Sequence, residues 1–243
     1  MEIRLKAGAG FPNRLLYTLA VIAGVSVANL YYNQPLLDMI RQEMGTTTLA
    51  ANHIALFSQC GYALGLLFLI PLADLRSRRR ILLVDFTLLI LALLATATAP
   101  DIGVLHVSSL VIGVCSVVPQ FFIPFAAQYS RPEDKNRNVG IILSGLLTGI
   151  LASRVVSGAV EWLGWREMYC IATGMMLVCA VLVFRILPDE KPNFTGSYAA
   201  LMRSLFTLLK QYPLLRLHSV RAALAFGSFM GFWATLAFKM AQE

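Results

Sequence analysis

Charge is scarce in this sequence: 14% of its 243 residues are Asp, Glu, Lys or Arg, where a soluble domain carries about 25%. A water-soluble fold of this length needs far more polar surface than that. Acidic residues are scarcer still, 13 against 20 basic ones, leaving a net charge of +7. In a soluble protein such a balance points to nucleic acid. Here the basic residues lie between apolar runs instead of along one face, so no nucleic-acid partner is expected. Cysteine is sparse as well. Cys60, Cys115, Cys170 and Cys179 form no CxxC pair and read as small core residues, which leaves no metal or redox motif. The phosphate-cradling GxxxxGK[ST] loop is absent, as are HExxH, GxSxG and paired catalytic carboxylates. Nothing therefore supports ATP-driven work, an enzyme or a cofactor.

Apolar residues are abundant, at 58% of the chain, and the mean hydropathy is +0.70. A membrane span needs about 20 mostly apolar residues to cross about 30 Å of hydrocarbon. Seven stretches qualify or nearly do: 15–37, 54–73, 81–99, 102–129, 139–160, 168–187 and 222–238. The expected fold class is an all-α polytopic membrane protein with the lipid bilayer as its solvent. The first stretch runs on through Asn29, Tyr31, Tyr32, Asn33 and Gln34 without a small-residue cleavage site, so it is a retained helix and not a signal peptide. Connectors are short except for 188–221. Within it, residues 198–209 repeat Leu201, Leu205 and Leu208 at helical spacing, which predicts a helix lying on the membrane surface. Asn193-Phe194-Thr195 in the same connector matches a glycosylation sequon and is read as incidental.

Orientation follows from Lys and Arg in alternate connectors. Sixteen fall on the side holding the N-terminus and Arg76, Arg78, Arg79 and Arg80; three, Arg41, Arg166 and Lys239, fall on the other. The first side is expected to be cytoplasmic.

Residues 71–80 read PLADLRSRRR, preceded on the same span by Gly61 and Gly65. This resembles the signature between the second and third helices of the major facilitator superfamily, Gly-x-Leu-Ala-Asp-Arg-x-Gly-Arg-Arg. Asp74, Arg78 and Arg79 occupy its acidic and late basic positions. Pro71, Leu75 and Ser77 depart from it but keep the charge pattern. Lys135-Asn136-Arg137-Asn138-Val139-Gly140 stands where the family has an Arg-Gly-Arg-x-Val-Gly turn. Gly164-Trp165-Arg166 looks like the opening of its sixth helix, and the run from Asn29 to Pro35 resembles the first helix of one bacterial branch. The chain also echoes itself. Gly61xxxGly65 recurs 84 positions later as Gly145xxxGly149, and the 74–79 segment is loosely repeated 87 positions later at 161–166. Both fit an inverted three-plus-three repeat.

The resemblance implies a bacterial inner-membrane secondary transporter that moves a small molecule, coupled to protons, by alternating access between two six-helix halves. Residues 1–187 would be one half, 188–221 the cytoplasmic linker, and 222–243 the first helix of a second half. The expected state is a truncated form lacking the C-terminal half needed for full function; the alternative is an inactive membrane protein fragment. Helices 1, 2, 4 and 5 are implied to face the cavity.

Candidate substrate-binding residues are the polar groups on those helices. Arg154 lies about six residues, ~9 Å, from the outer end of helix 5, where a charge costs roughly 2.5–3.5 kcal/mol on insertion scales. Gln59 is similarly deep on helix 2, Asn29 and Asn33 are four apart on helix 1, and Gln120 sits between Pro119 and Pro124 on helix 4. Asp74, with Arg78 and Arg79, is the implied conformational motif. Asp85, one turn past Arg80, is expected to pair with the arginine cluster instead of carrying protons. The arginine that the family often places near position 109 is absent; Ser109 stands there.

Overall fold

In hydrocarbon no water is present to satisfy the peptide groups, so each apolar run must close its own backbone hydrogen bonds as a helix. The computed structural model describes residues 8, 10–159, 161–188 and 196–240. It divides into two compact units, Met1–Thr195 and Gly196–Glu243. Arg4, Lys6, Lys191 and the sequon at 193–195 lie outside the described residues.

In the first unit, α1 (Asn13–Ala28) and α2 (Asn33–Glu43) form one interrupted span. The second span comprises α3 (Thr48–Leu64), a π-helical turn (Gly65–Leu69) and α4 (Leu72–Leu75). The third is α5 (Arg78–Ala97), the fourth α6 (Ile102–Cys115) with α7 (Val118–Tyr129), the fifth α8 (Lys135–Ala159) and the sixth α9 (Trp165–Ile186). Six helical segments among the described residues are thus long and apolar enough to cross a membrane. They coincide with the first six expected stretches; the fourth has the expected bounds, and the others move at one or both ends.

Three spans are interrupted, and a proline follows each interruption. Pro35 offers no N–H to the Tyr31 carbonyl, and Gln34 takes that acceptor instead through a tighter turn. Pro71 follows the π-turn, where the Ile70 N–H reaches back five residues to Gly65. Pro119 leaves the Cys115 carbonyl without its i+4 donor, and α6 ends there.

Glycines set how the spans pack. A Cβ on Gly145 or Gly149 of α8 would run into the backbone of Ala20 or Gly24 on α1. A Cβ on Gly61 or Gly65 would likewise strike the Leu110 or Val114 carbonyl of α6, and one on Gly113 the Ser58 carbonyl of α3. Span one on span five and span four on span two are therefore the same close crossing made twice. This is the inverted repeat expressed as contact, and the two GxxxG copies are its equivalent halves. The third and sixth spans, α5 and α9, pack on each other.

Burial is uneven. Within its most apolar window the first span is 78% buried, whereas the second and fifth are only 22% and 11% buried. Spans two and five thus present most of their surface outward from this unit.

The second unit contains α10 (Tyr198–Gln211) and α11 (Pro213–Met240). Ser197 caps α10 by accepting the Ala200 N–H at 3.2 Å. The expected surface helix at 198–209 lies wholly within α10, and the expected seventh stretch at 222–238 lies within α11.

Candidate functional site

The polar residues expected at the site do not converge equally. Arg154 projects from α8 and donates from Nε to the Gln34 side-chain oxygen at 3.1 Å. Its guanidinium carbon stands 5.5 Å from the centre of the Tyr31 ring, a cation–π distance. Tyr31, buried in the α1–α2 link, has Gln59 and Tyr62 of α3 as polar neighbours. The Tyr62 hydroxyl in turn accepts from Gln120 of α7 at 3.2 Å. Arg154, Tyr31, Gln34, Gln59, Tyr62 and Gln120 therefore make one continuous polar wall. Four interrupted or little-covered spans contribute to it.

The wall exists because the helices break where they do. The interruption before Pro35 turns Tyr31 and Gln34 toward α8, and the interruption before Pro119 starts α7 with Gln120 in its first turn. All these side chains except Tyr31 are half-buried, so the wall borders the open side of the unit. A guanidinium presents five N–H donors in a fixed fork that matches a carboxylate or phosphate. Amides and phenols beside it can each donate or accept. The chemistry on offer is recognition of a small polar or anionic molecule, with no nucleophile–base pair among the wall's residues. Among the described residues, no three His, Cys, Asp or Glu side chains gather where a metal ion could sit.

Asn29 and Asn33 turn elsewhere. Asn29 Nδ2 donates to the Val25 and Ser26 carbonyls at 3.3 and 3.0 Å, closing the last turn of α1. Asn33 Nδ2 donates to Ser58 Oγ at 3.2 Å and ties α2 to α3. Both are buried.

The signature turn has its own geometry. Arg78 donates to Gln128 on α7 at 3.2 Å and lies over the Phe125 ring at 5.8 Å. Arg79 donates to the Phe184 carbonyl of α9 at 2.8 Å. Asp74 stands exposed on the turn. Asp85 requires a correction. It does not sit among the arginines but faces the core, 2% exposed, and neither carboxylate oxygen has a hydrogen-bond partner among the described residues.

At the opposite end, Gly164 adopts φ +111°, where a side chain would be strained. That turn aims Trp165 Nε1 at Glu43 Oε2, 2.5 Å away, and Arg166 Nε at Glu43 Oε1, 2.9 Å away. The Gly-Trp-Arg sequence thus works as a clasp between spans six and one.

The model of the Major Facilitator Superfamily matches residues 19–242. The chain belongs to that superfamily. Its members are transporters and not enzymes, so the polar wall is to be judged as part of a superfamily half. One relative, the Uncharacterized transporter YgaY of Escherichia coli O157:H7, is 36% identical over 229 residues, covering 93% of this chain and 58% of the relative. The inner membrane transport protein YnfM of Escherichia coli K12 is 28% identical over 186 residues, covering 75% of this chain and 45% of the relative. The chain thus spans about half the length of the curated relatives it matches. Among solved structures, a bacterial homolog to the human lysosomal transporter Spinster, inward-facing and unoccupied, superposes with a TM-score of 0.63. It shares 13% identity and covers 76% of this chain and 46% of that one, which speaks to the fold alone.

Proposed function

We propose that this chain provides the first half of a proton-driven secondary transporter for a small organic anion. Its arginine-rich end lies in the cytoplasm and its Arg154 end opens outward across the inner membrane. The substrate's acidic group binds the Arg154 guanidinium, while Gln59, Tyr62 and Gln120 engage its polar remainder. Asn29 and Asn33 serve the site indirectly, by fixing the break that presents Tyr31 and Gln34. Arg78 and Arg79 anchor the signature turn and leave Asp74 exposed to meet a helix of a second half.

The observation that carries this reading is the setting of Arg154. A charge inside a span costs a few kcal/mol unless it is well accommodated, and this one is held against an aromatic face and an amide on one of the least covered helices. Because the chain spans about half of its relatives' length, transport by the whole protein belongs to the proposal. The competing reading is a membrane protein with no transport of its own.

The test is a thermal-stability screen of the purified chain in detergent against small organic anions and cations. Anions should stabilise the wild type and fail to stabilise Arg154→Gln. Stabilisation by cations, or by anions equally in both proteins, would sink the assignment. In cells, Arg154→Ala should abolish uptake or efflux with membrane insertion intact. Unchanged transport in that variant removes Arg154 from the site, and no transport by the unaltered chain favours the inactive reading.

A further inference from the structure

Asp85 is the single acidic residue in the seven apolar stretches. It shares the buried face of α5 with Ile81, Leu82, Phe86 and Leu89, and α5 packs mainly on α6 and α9. Its polar neighbour is the Cys115 thiol, at the last residue of α6, where the fourth span is interrupted. A thiol is a weak donor.

Among the described residues no cation is positioned to neutralise a carboxylate there. Arg78 lies two turns back on the same helix, ~10 Å along the axis, and is held by Gln128 and the Phe125 ring. From α9, the buried titratable groups are Tyr169, packed on Trp165, and Cys179, beside Tyr32. From α7, Tyr129 stacks on Phe125. An ionised carboxylate buried with no better donor than a thiol and no counter-charge costs many kcal/mol, whereas the neutral acid is tolerable. The fourth span breaks beside it, where α6 ends at Cys115. Pro119 withholds an N–H from the Cys115 carbonyl, leaving backbone polarity that water can satisfy if α5 and α6 part.

We propose that Asp85 is a proton-binding site, protonated while the α5–α6 seam is closed as here, and ionised when the seam opens at the Ser116–Val117 break. On opening, the carboxyl O–H bond breaks, the proton passes to a water molecule and the electron pair stays on the carboxylate; closing reverses the step. As the proton carrier this rests on the proton-driven reading above, but occupancy by a proton can be tested without transport.

The experiment is infrared spectroscopy of the purified chain in detergent at neutral pH. The wild type should show a protonated-carboxyl C=O band that disappears in Asp85→Asn. A wild type without the band, or a band of equal strength in Asp85→Asn, overturns the proposal. Should Asp85→Asn fail to fold, Cys115→Ser replaces a weak donor by a stronger one and should move the band to lower frequency; an unmoved band counts against Asp85 as its source. If the band is lost in Asp85→Asn while a pH gradient drives no transport, the proton site stands and the proton-driven reading falls.

Discussion

Arg79 and Arg166, 87 positions apart, close the ends of each other's helices. Arg79 begins α5 and donates to the Phe184 carbonyl near the end of α9 at 2.8 Å. Arg166 begins α9 and donates to the Ala97 and Ala99 carbonyls at the end of α5, both at 2.9 Å. Final helix carbonyls lack intrahelical donors and carry the negative end of the dipole, so each arginine meets two needs at once. Each also lies on an aromatic ring, Arg79 over Phe184 at 4.5 Å and Arg166 over Trp165 at 4.3 Å. The two-fold echo in the sequence thus extends from the glycine crossings to the helix ends.

The two clasps differ in strength. Arg166 adds an ion pair with Glu43 at 2.9 Å, the arginine 33% and the glutamate 48% exposed. Arg166→Ala should therefore cost about 2–3 kcal/mol, from lost charge-assisted hydrogen bonds discounted for solvent screening. Arg79→Ala should cost about 1 kcal/mol, because a single such bond is lost. Thermal unfolding in detergent measures both. Arg166→Lys should recover less than half of the loss, since an ammonium cannot reproduce the fork that reaches two carbonyls and a carboxylate. Equal losses at the two arginines would refute the ranking.

Gly149 and Gly174 make a matched pair for testing the close crossing. A Cβ at Gly149 would meet the backbone of Gly24, and neither helix can yield locally. Gly149→Ala should cost about 2 kcal/mol or more through overpacking. A Cβ at Gly174 of α9 would meet nothing within 4 Å. Gly174→Ala should be neutral or stabilise by up to about 1 kcal/mol, from helix propensity. Midpoints of thermal unfolding for the two variants should move in different directions or by clearly different amounts.

The spans were legible because run length alone sets them, and residues 102–129 were bounded by composition without help from packing. Where a span breaks was less so. Pro119 and Pro124 could be read as a kink, but helical spacing put Asn29 and Asn33 on one face, and Pro35 interrupts that face between α1 and α2. Their side chains consequently bond in different directions. Arg154, Gln59 and Gln120 stood out as polar groups in apolar runs. Tyr31, Gln34 and Tyr62 did not, because a tyrosine in such a run reads as core, and Gln34 meets Arg154 across 120 positions. Asp85 departs from its expected place for a related reason. Its nearness to Arg80 along the chain was visible, but the direction it faces is set by how α5 packs on α6.

Asn33 offers a way to separate a helix tie from a ligand contact. Its only hydrogen bond among those described is to Ser58 Oγ, itself bonded back to the Ile54 carbonyl. Interhelical side-chain bonds in membranes average about 0.6 kcal/mol. Asn33→Ala and Ser58→Ala should show a coupling of about that size in a double-mutant cycle on thermal stability. Anion stabilisation of the kind described above should survive in Asn33→Ala. If binding is lost while the coupling is absent, Asn33 touches the ligand directly.

The charge bias makes the last prediction the most exposed to refutation. Long-range insertion is steered by Lys and Arg near the span ends, and sixteen of these residues flank one side against three on the other. Ser77 lies between Arg76 and Arg78 in the arginine-rich turn, and Thr46 lies in the turn joining α2 to α3 at the opposite end. In a background with the four native cysteines replaced, Thr46→Cys should react with a membrane-impermeant maleimide added to intact cells. Ser77→Cys should react only after the membrane is opened. The reverse pattern would invert the protein in the membrane, and with it the outward opening assigned to Arg154, while leaving the helix packing untouched.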